Sequence, residues 1–150
     1  MDLKVRRARL GDLEKLISFA LEEAREAEGL KKVPATLRKG IETALYDETI
    51  ALYWVLVDKN DEPVGNVSAL REWSNWNAGF YWWIQSMYIS PEYRGKGHLL
   101  KLLDAVKAEA RRQGGLDLRL YVNKDNNRAV RAYLKSGFTE SKYKIMIQGL

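Results

Sequence analysis

The chain has 150 residues, no cysteine, one histidine and a net charge of +5. Those counts exclude a disulfide framework, a thiol nucleophile, a cysteine zinc site and any multi-histidine metal site. No apolar run approaches the ~20 residues of a membrane span, and residues 1–7 lack the apolar centre of a signal peptide, so a soluble cytoplasmic protein with no membrane partner is expected.

One domain over residues 1–150 is the natural division. At that length a fold buries roughly 68–70% of the surface its unfolded chain exposes, enough for a core without staples. Residues 3–8 read as a short strand. Asp12 is placed to cap a helix whose apolar stripe is Leu13, Leu16, Ile17, Ala20, Leu21 and Ala24, with Gly29 ending it. Pro34 suits the first turn of a second helix with Leu37, Ile41, Ala44 and Leu45 on one side. Residues 49–57 are β-rich, 58–61 form a turn, and 63–70 make the next strand. Residues 71–79 read as a polar connection bearing Trp73 and Trp76. Residues 80–89 are strongly β, rich in Tyr, Trp and Ile. A helix over 97–113 buries Leu99, Leu102, Leu103, Val106 and Ala110, and Gly114-Gly115 stops it. Residues 116–122 alternate as a strand, 126–136 form a helix closed by Gly137, and 138–147 read as a last strand.

The expected order is therefore β-α-α-β-β-β-α-β-α-β. The strand–helix–strand unit over 80–122 is a right-handed crossover, which makes its two strands parallel. The earlier strands, joined by short turns, should be antiparallel. The fold class is α/β in the α+β sense: a central mixed sheet flanked by helices.

Chemistry concentrates after residue 89. An apolar run ends at Pro91, a loop Arg94-Gly95-Lys96-Gly97 follows, and a helix opens at once. Free N–H groups at a helix start, the positive end of its dipole, two glycines and two cations together favour an anion. Residues 94–131 hold ten Lys/Arg against four acids, so the positive charge of the chain gathers here. The loop lacks the third glycine of a dinucleotide fingerprint, where Leu100 stands, and Lys96 is followed by Gly97 rather than the Ser or Thr of a P-loop. Nucleic acid is not the expected partner: the basic residues form no stripe or arm. A plain strand-to-helix turn with solvated cations is the alternative.

A second segment also follows a strand and opens a helix: Asn126, then Ala129, Tyr133 and Gly137-Phe138. Together the two segments resemble the GNAT superfamily of acyl-CoA-dependent N-acetyltransferases. The family's first signature, Arg/Gln-x-x-Gly-x-Gly/Ala, falls on Arg94-Gly95-Lys96-Gly97-His98-Leu99. The element order agrees along nearly the whole chain. Leu99 departs from the pattern, standing where the family has Gly or Ala; as part of the apolar stripe it is expected to point into the core.

The resemblance implies acetyl-CoA as cosubstrate and no metal. The backbone N–H groups of Gly95, Gly97, Leu99 and Leu100 would hold the pyrophosphate, with Arg94 and Lys96 adding charge. Met87 and Ile89 would offer backbone groups to the pantetheine arm, in the gap where two parallel strands diverge. Tyr133 would donate to the leaving thiolate. Asn126 would contact the cofactor arm, cap its helix, or both, with Asn127 a competing cap.

The acceptor amine must be neutral to attack. A lysine-like amine with a pKa of about 10.4 is uncharged in only about 1 in 2,500 molecules at pH 7, a handicap of roughly 4.6 kcal/mol. A base or a desolvating pocket is needed, and none is evident in the sequence. Glu72 and Glu92 are the nearest acids, both of ordinary surface type; Gln85 cannot act as a base, and His98 is expected to face solvent. Water-mediated deprotonation is an equal alternative. Trp73 and Trp76 are the candidates for the acceptor side, though this aromatic cluster equally suits sheet packing or a homodimer contact. The expected function is acetyl transfer from acetyl-CoA to a primary amine of a small molecule or protein, by direct attack in a ternary complex. The alternatives are a non-catalytic acyl-CoA-binding or regulatory module on the same fold and a basic nucleic-acid-binding domain.

Overall fold

The computed structural model describes residues 2–28 and 32–150; Gly29, the expected end of the first helix, lies outside the described residues. The elements are β1 (Lys4–Arg7), α1 (Leu13–Glu28), α2 (Pro34–Tyr46), β2 (Leu52–Val57), β3 (Pro63–Ser74), β4 (Gly79–Ile89), α3 (His98–Arg112), β5 (Asp117–Leu120) and α4 (Asn127–Lys135). The strands form one sheet in the order β1-β2-β3-β4-β5. The first three pairings are antiparallel and β4–β5 is parallel, as the crossover rule requires.

Two apolar clusters fix the layers. On one face Trp54, Leu56, Val67, Trp82 and Ile84 of the sheet meet Leu102, Leu103 and Val106 of α3. On the other, Val55 and Val57 meet Leu13, Leu16 and Ile17 of α1 and Ile41 of α2. The alternation of β2 divides its side chains between both faces, so the strand is buried on each.

Four sequence expectations are corrected. Asp12 does not cap α1 from in front. A 3-10 turn, Leu10–Asp12, precedes the helix, and the Asp12 carboxylate reaches back to accept the Arg9 N–H at 2.7 Å and the Arg6 guanidinium at 2.9 and 3.1 Å. Residues 71–74 belong to β3, not to a connection. Their polarity reflects an outward-reaching hairpin whose far end is wet, not a break in pairing, which runs on to Ser74↔Gly79. Trp73 is therefore a strand residue. The strand expected over 138–147 does not form. A β-rich sequence needs a paired, half-buried place in a sheet, and this segment has none: Tyr143, Ile145, Met146 and Ile147 are all exposed. His98 is buried rather than solvent-facing.

The β4–β5–α3 packing depends on a missing side chain at position 115. A Cβ on Gly115 would meet the Trp82 indole at 2.7 Å and the Ala110 carbonyl at 3.0 Å, and Trp82 is the largest fully buried side chain. Gly115→Ala is expected to destabilise the fold by about 1–3 kcal/mol, the range for overpacking a tight core. Urea denaturation measures this; an unchanged midpoint would refute it.

Candidate active site

The site begins where β4 outlasts its parallel partner. Pairing runs from Tyr81↔Asp117 to Ile84↔Leu120 and stops, whereas β4 continues to Ile89. On its other edge β4 remains paired with β3, but Ser68 faces Ser86 and Ala69 faces Ile84, leaving Gln85 as the extra residue of a β-bulge. Such a bulge bends a strand and re-aims its side chains. Here it coincides with the point where the two parallel strands part.

A cleft of about 1220 Å³ opens over this gap. Its walls come from α1, α2, the sheet, the segment after β5, and α4, and include Gln85, Ser86, Met87 and Ile89 of β4. The lining also includes Arg94 and Leu99 around the start of α3, Asn126 and Tyr133 of the α4 segment, Leu16 of α1, Leu37 and Ile41 of α2, and Tyr53 of β2. A polar ladder lies in the neighbouring strands: the Ser68 and Ser86 hydroxyls are 2.6 Å apart, and Asn66 donates to Ser86 at 3.2 Å.

The loop before α3 is shaped by its glycines. Gly95 has φ +74° and Gly97 φ +84°, a left-handed conformation that other residues adopt only under strain. A Cβ at either position would meet nothing within 4 Å, so both glycines border open space at the mouth of a 15-residue helix. Leu99 packs against the α3 face of the core, as its place in the stripe required, while Leu100 is exposed. Lys96 donates to the Glu92 carbonyl at 3.1 Å. Arg94 is more committed than expected: it donates to the Ile89 carbonyl at 2.7 Å, pairs with Glu26 of α1 at 2.7 Å and lies over the Tyr88 ring. It ties the loop to α1 as well as lending charge.

Across the cleft Asn126 caps α4, its side-chain oxygen accepting the Ala129 N–H at 3.2 Å; Asn127 is the first helical residue. Tyr133 packs edge-on against Phe138. Burial, with a smaller contribution from the Glu23 carboxylate, pushes its phenol up to about 12. The other candidates stand apart. Glu72 accepts the Trp83 indole N–H at 2.8 Å, Trp73 packs edge-on against Phe80, and Trp76 is 86% exposed; none of the three lines the cleft. Glu92 also lies outside its walls.

The sequence reasoning missed Glu23. It projects from α1 into the cleft, where its carboxylate accepts the Met87 N–H at 3.1 Å. The available signal was its phase: Leu16, Ala20 and Glu23 follow i, i+4, i+7, so an acid occupies a place on the buried stripe. Tyr53, also on the cleft wall, has its phenol pushed up, first by burial and then by Glu23.

A sequence profile of the Acetyltransferase (GNAT) family matches residues 34–138. An uncharacterized N-acetyltransferase of Mycobacterium tuberculosis (strain H37Rv) is 32% identical over 101 residues, which is 67% of this chain and 53% of that protein. The chain thus spans about half the length of the curated relatives it matches. The crystal structure of a possible acetyltransferase from Clostridium difficile 630 superposes with a TM-score of 0.91 at 32% identity, covering 99% of this chain and 97% of that one. A predicted acetyltransferase from Clostridium acetobutylicum, solved with acetyl-CoA, shares the fold at a TM-score of 0.81 and 19% identity, covering 98% and 96%. The chain belongs to the GNAT acetyltransferase family.

Two measurements probe the loop. Gly97→Ala should cost about 1–2 kcal/mol of stability, the penalty for a side chain in a left-handed conformation; an unchanged unfolding free energy would contradict the φ assigned here. His98, the chain's one histidine, is 9% exposed, and its Nδ1 is buried without a hydrogen-bond partner. Burial first, then Lys101 and Lys96, hold its pKa below the usual value. The unfolded chain therefore takes up the proton first, and stability should be full above about pH 6.5 and fall as the pH drops through that value. The thermal midpoint should fall between pH 7.5 and 5.5 in the native protein and fall less in His98→Gln. An equal fall in both would show that His98 is not its source.

Proposed function

We propose that the protein moves an acetyl group from acetyl-CoA to a primary amine by direct attack in a ternary complex. The observation that carries this reading is the parting of β4 and β5 directly beside the glycine-bordered mouth of α3. It leaves main-chain groups of β4 facing a cleft, with an anion-favouring helix start at one end. Family membership and the acetyl-CoA held by the C. acetobutylicum structure support the choice of cosubstrate.

The residues fit such a molecule. The N–H groups of Gly95, Gly97, Leu99 and Leu100 would hold the pyrophosphate, and Lys96 and Arg94 would add charge, Arg94 while still paired with Glu26. Met87 and Ile89 would meet the pantetheine amides. The Ile89 carbonyl already accepts from Arg94, and the Met87 N–H is held by Glu23, a carboxylate oxygen standing where a ligand carbonyl would accept. Asn126 keeps its capping role on the wall of the same end.

Tyr133 is the proposed donor to the leaving sulfur. With its phenol near 12 it is protonated at every physiological pH. Full transfer to a thiolate of pKa about 8.5 would be uphill by about 5 kcal/mol. Its contribution is therefore a hydrogen bond that stabilises the developing thiolate, with the proton following as charge leaves the site. The absence of cysteine favours direct attack over a thiol-bound acyl intermediate. Glu72, Trp73 and Trp76 do not line the cleft and are given no role in this reading.

Calorimetry with acetyl-CoA, paired with a thiol-release assay over a panel of amines, tests the reading. Saturable binding and amine-dependent release are expected; binding without release for any amine would leave a binding module. Tyr133→Phe should lower kcat by about 10²–10⁴, the range for general acid–base groups, while acetyl-CoA affinity stays within about threefold. Equal turnover in the variant would remove Tyr133 from the chemistry.

A further inference from the structure

We infer that residues 139–148 form an exchanged arm: in solution the segment of one copy of this chain pairs antiparallel with the outer edge of β5 in a second copy, and the exchange is reciprocal. The inference is independent of the acetyl-transfer reading.

Two unsatisfied halves carry it. The first is the arm. It leaves the body at Phe138, whose ring packs against the α3-side core and whose N–H donates to the Tyr133 carbonyl at 3.0 Å. Beyond that anchor every residue is exposed, Met146 by 94% and Ile147 by 91%. Among the described residues the arm's backbone N–H groups find one partner, the Ser141 hydroxyl that accepts from Tyr143. Yet Tyr143, Ile145 and Ile147 fall on alternate positions, with Lys142, Lys144 and Gln148 between them, which is the pattern of a strand with one apolar face. The second half is β5. It pairs with β4 on one side and is the last strand of the sheet. No strand among the described residues covers its other edge. Leu118 and Leu120 pack against the α3-side core but are only half-buried. A bare strand edge beside a half-covered apolar row is a template for another strand.

The side chains choose the register. Leu118 and Leu120 point to the α3 side, while Arg119 lies over the Tyr81 ring and Tyr121 stacks on Trp83 at 4.5 Å on the other. A slip of one residue would turn the arm's apolar row to the wrong face. One antiparallel alignment sets Leu118, Leu120 and Val122 opposite Ile147, Ile145 and Tyr143. It also brings Lys144 opposite the Tyr121 ring, a cation against an aromatic face, and Met146 opposite Arg119. Sliding the arm two residues one way puts Lys144 opposite Arg119, and directly opposed like charges destabilise a sheet. Sliding it the other way puts Gly149 opposite Leu118 and loses an apolar pair. The occupant is a second copy because that partner brings, along with its arm, another bare β5 edge to receive the arm of the first. One two-fold operation then completes both sheets. Tyr121, Val122 and Asn123 also line the cleft, so the arm of each copy braces a cleft wall of the other.

Analytical ultracentrifugation at micromolar concentration should give a species of twice the chain mass. Ile145→Lys combined with Ile147→Lys changes two side chains that are exposed in the single chain. It should weaken association at least tenfold. The chain has no cysteine, so Arg119→Cys combined with Met146→Cys reports the pairing directly, even if the lysine variant fails to fold. Directly opposed strand residues lie within disulfide reach. Mild oxidation should therefore join two copies into a covalent dimer on a non-reducing gel. A native protein of single-chain mass, a folded lysine variant that associates as tightly as the native chain, a disulfide closed within one chain, or no disulfide at all would each overturn the exchange.

Discussion

The site depends on one mismatch of length: β4 runs five residues past the end of its pairing with β5, from Ile84 to Ile89. Buried backbone amides without partners are costly, so such a strand edge must be satisfied by something other than a neighbouring strand. In this protein the partners are side chains. Glu23 takes the Met87 N–H and Arg94 takes the Ile89 carbonyl. Both belong to a larger tie between α1 and the loop before α3, because Arg94 also pairs with Glu26. The edge is thus held open and charged, a place a ligand's amides can exchange into.

Everything that shapes the rest of the cleft follows from holding that gap. The bulge at Gln85 bends β4 where the strands separate. The apolar contacts of α3 with Trp82 and Ile84 anchor the paired half of β4 on the opposite face. Gly95 and Gly97, both in left-handed conformation, turn the chain into α3, whose first turn brings Leu99 to the cleft lining beside Arg94. The phenols of Tyr53 and Tyr133, both on the cleft walls, are raised first by burial and also by one shared neighbour, Glu23.

What could be read from the sequence was what local geometry demands. Gly95 and Gly97 announce themselves because left-handed backbone favours glycine. Pro34 and Asn126 mark helix starts for equally local reasons, and the parallel β4–β5 pair follows from chain handedness. What stayed hidden was set by docking. Glu23 looks like one of many acids on a charged helix until α1 is laid across the sheet. His98 differs from a solvent-facing residue only by the rotational phase of α3. Trp73 lies on β3 and Trp76 in the turn that follows, both exposed and outside the cleft lining, a placement that composition alone does not reveal. The 138–147 segment has the composition of a strand and no neighbour to pair with, which composition alone cannot reveal.

The most direct measurement is amide hydrogen exchange followed residue by residue, with and without saturating acetyl-CoA. Added protection centred on residues 87–89 and 95–100, with little change in the β1–β2 half of the sheet, is the expected result. Binding that leaves those amides exchanging as before, or that protects a different surface, would contradict the assignment of the parted strands and the glycine-bordered helix mouth as the place where the thioester is held.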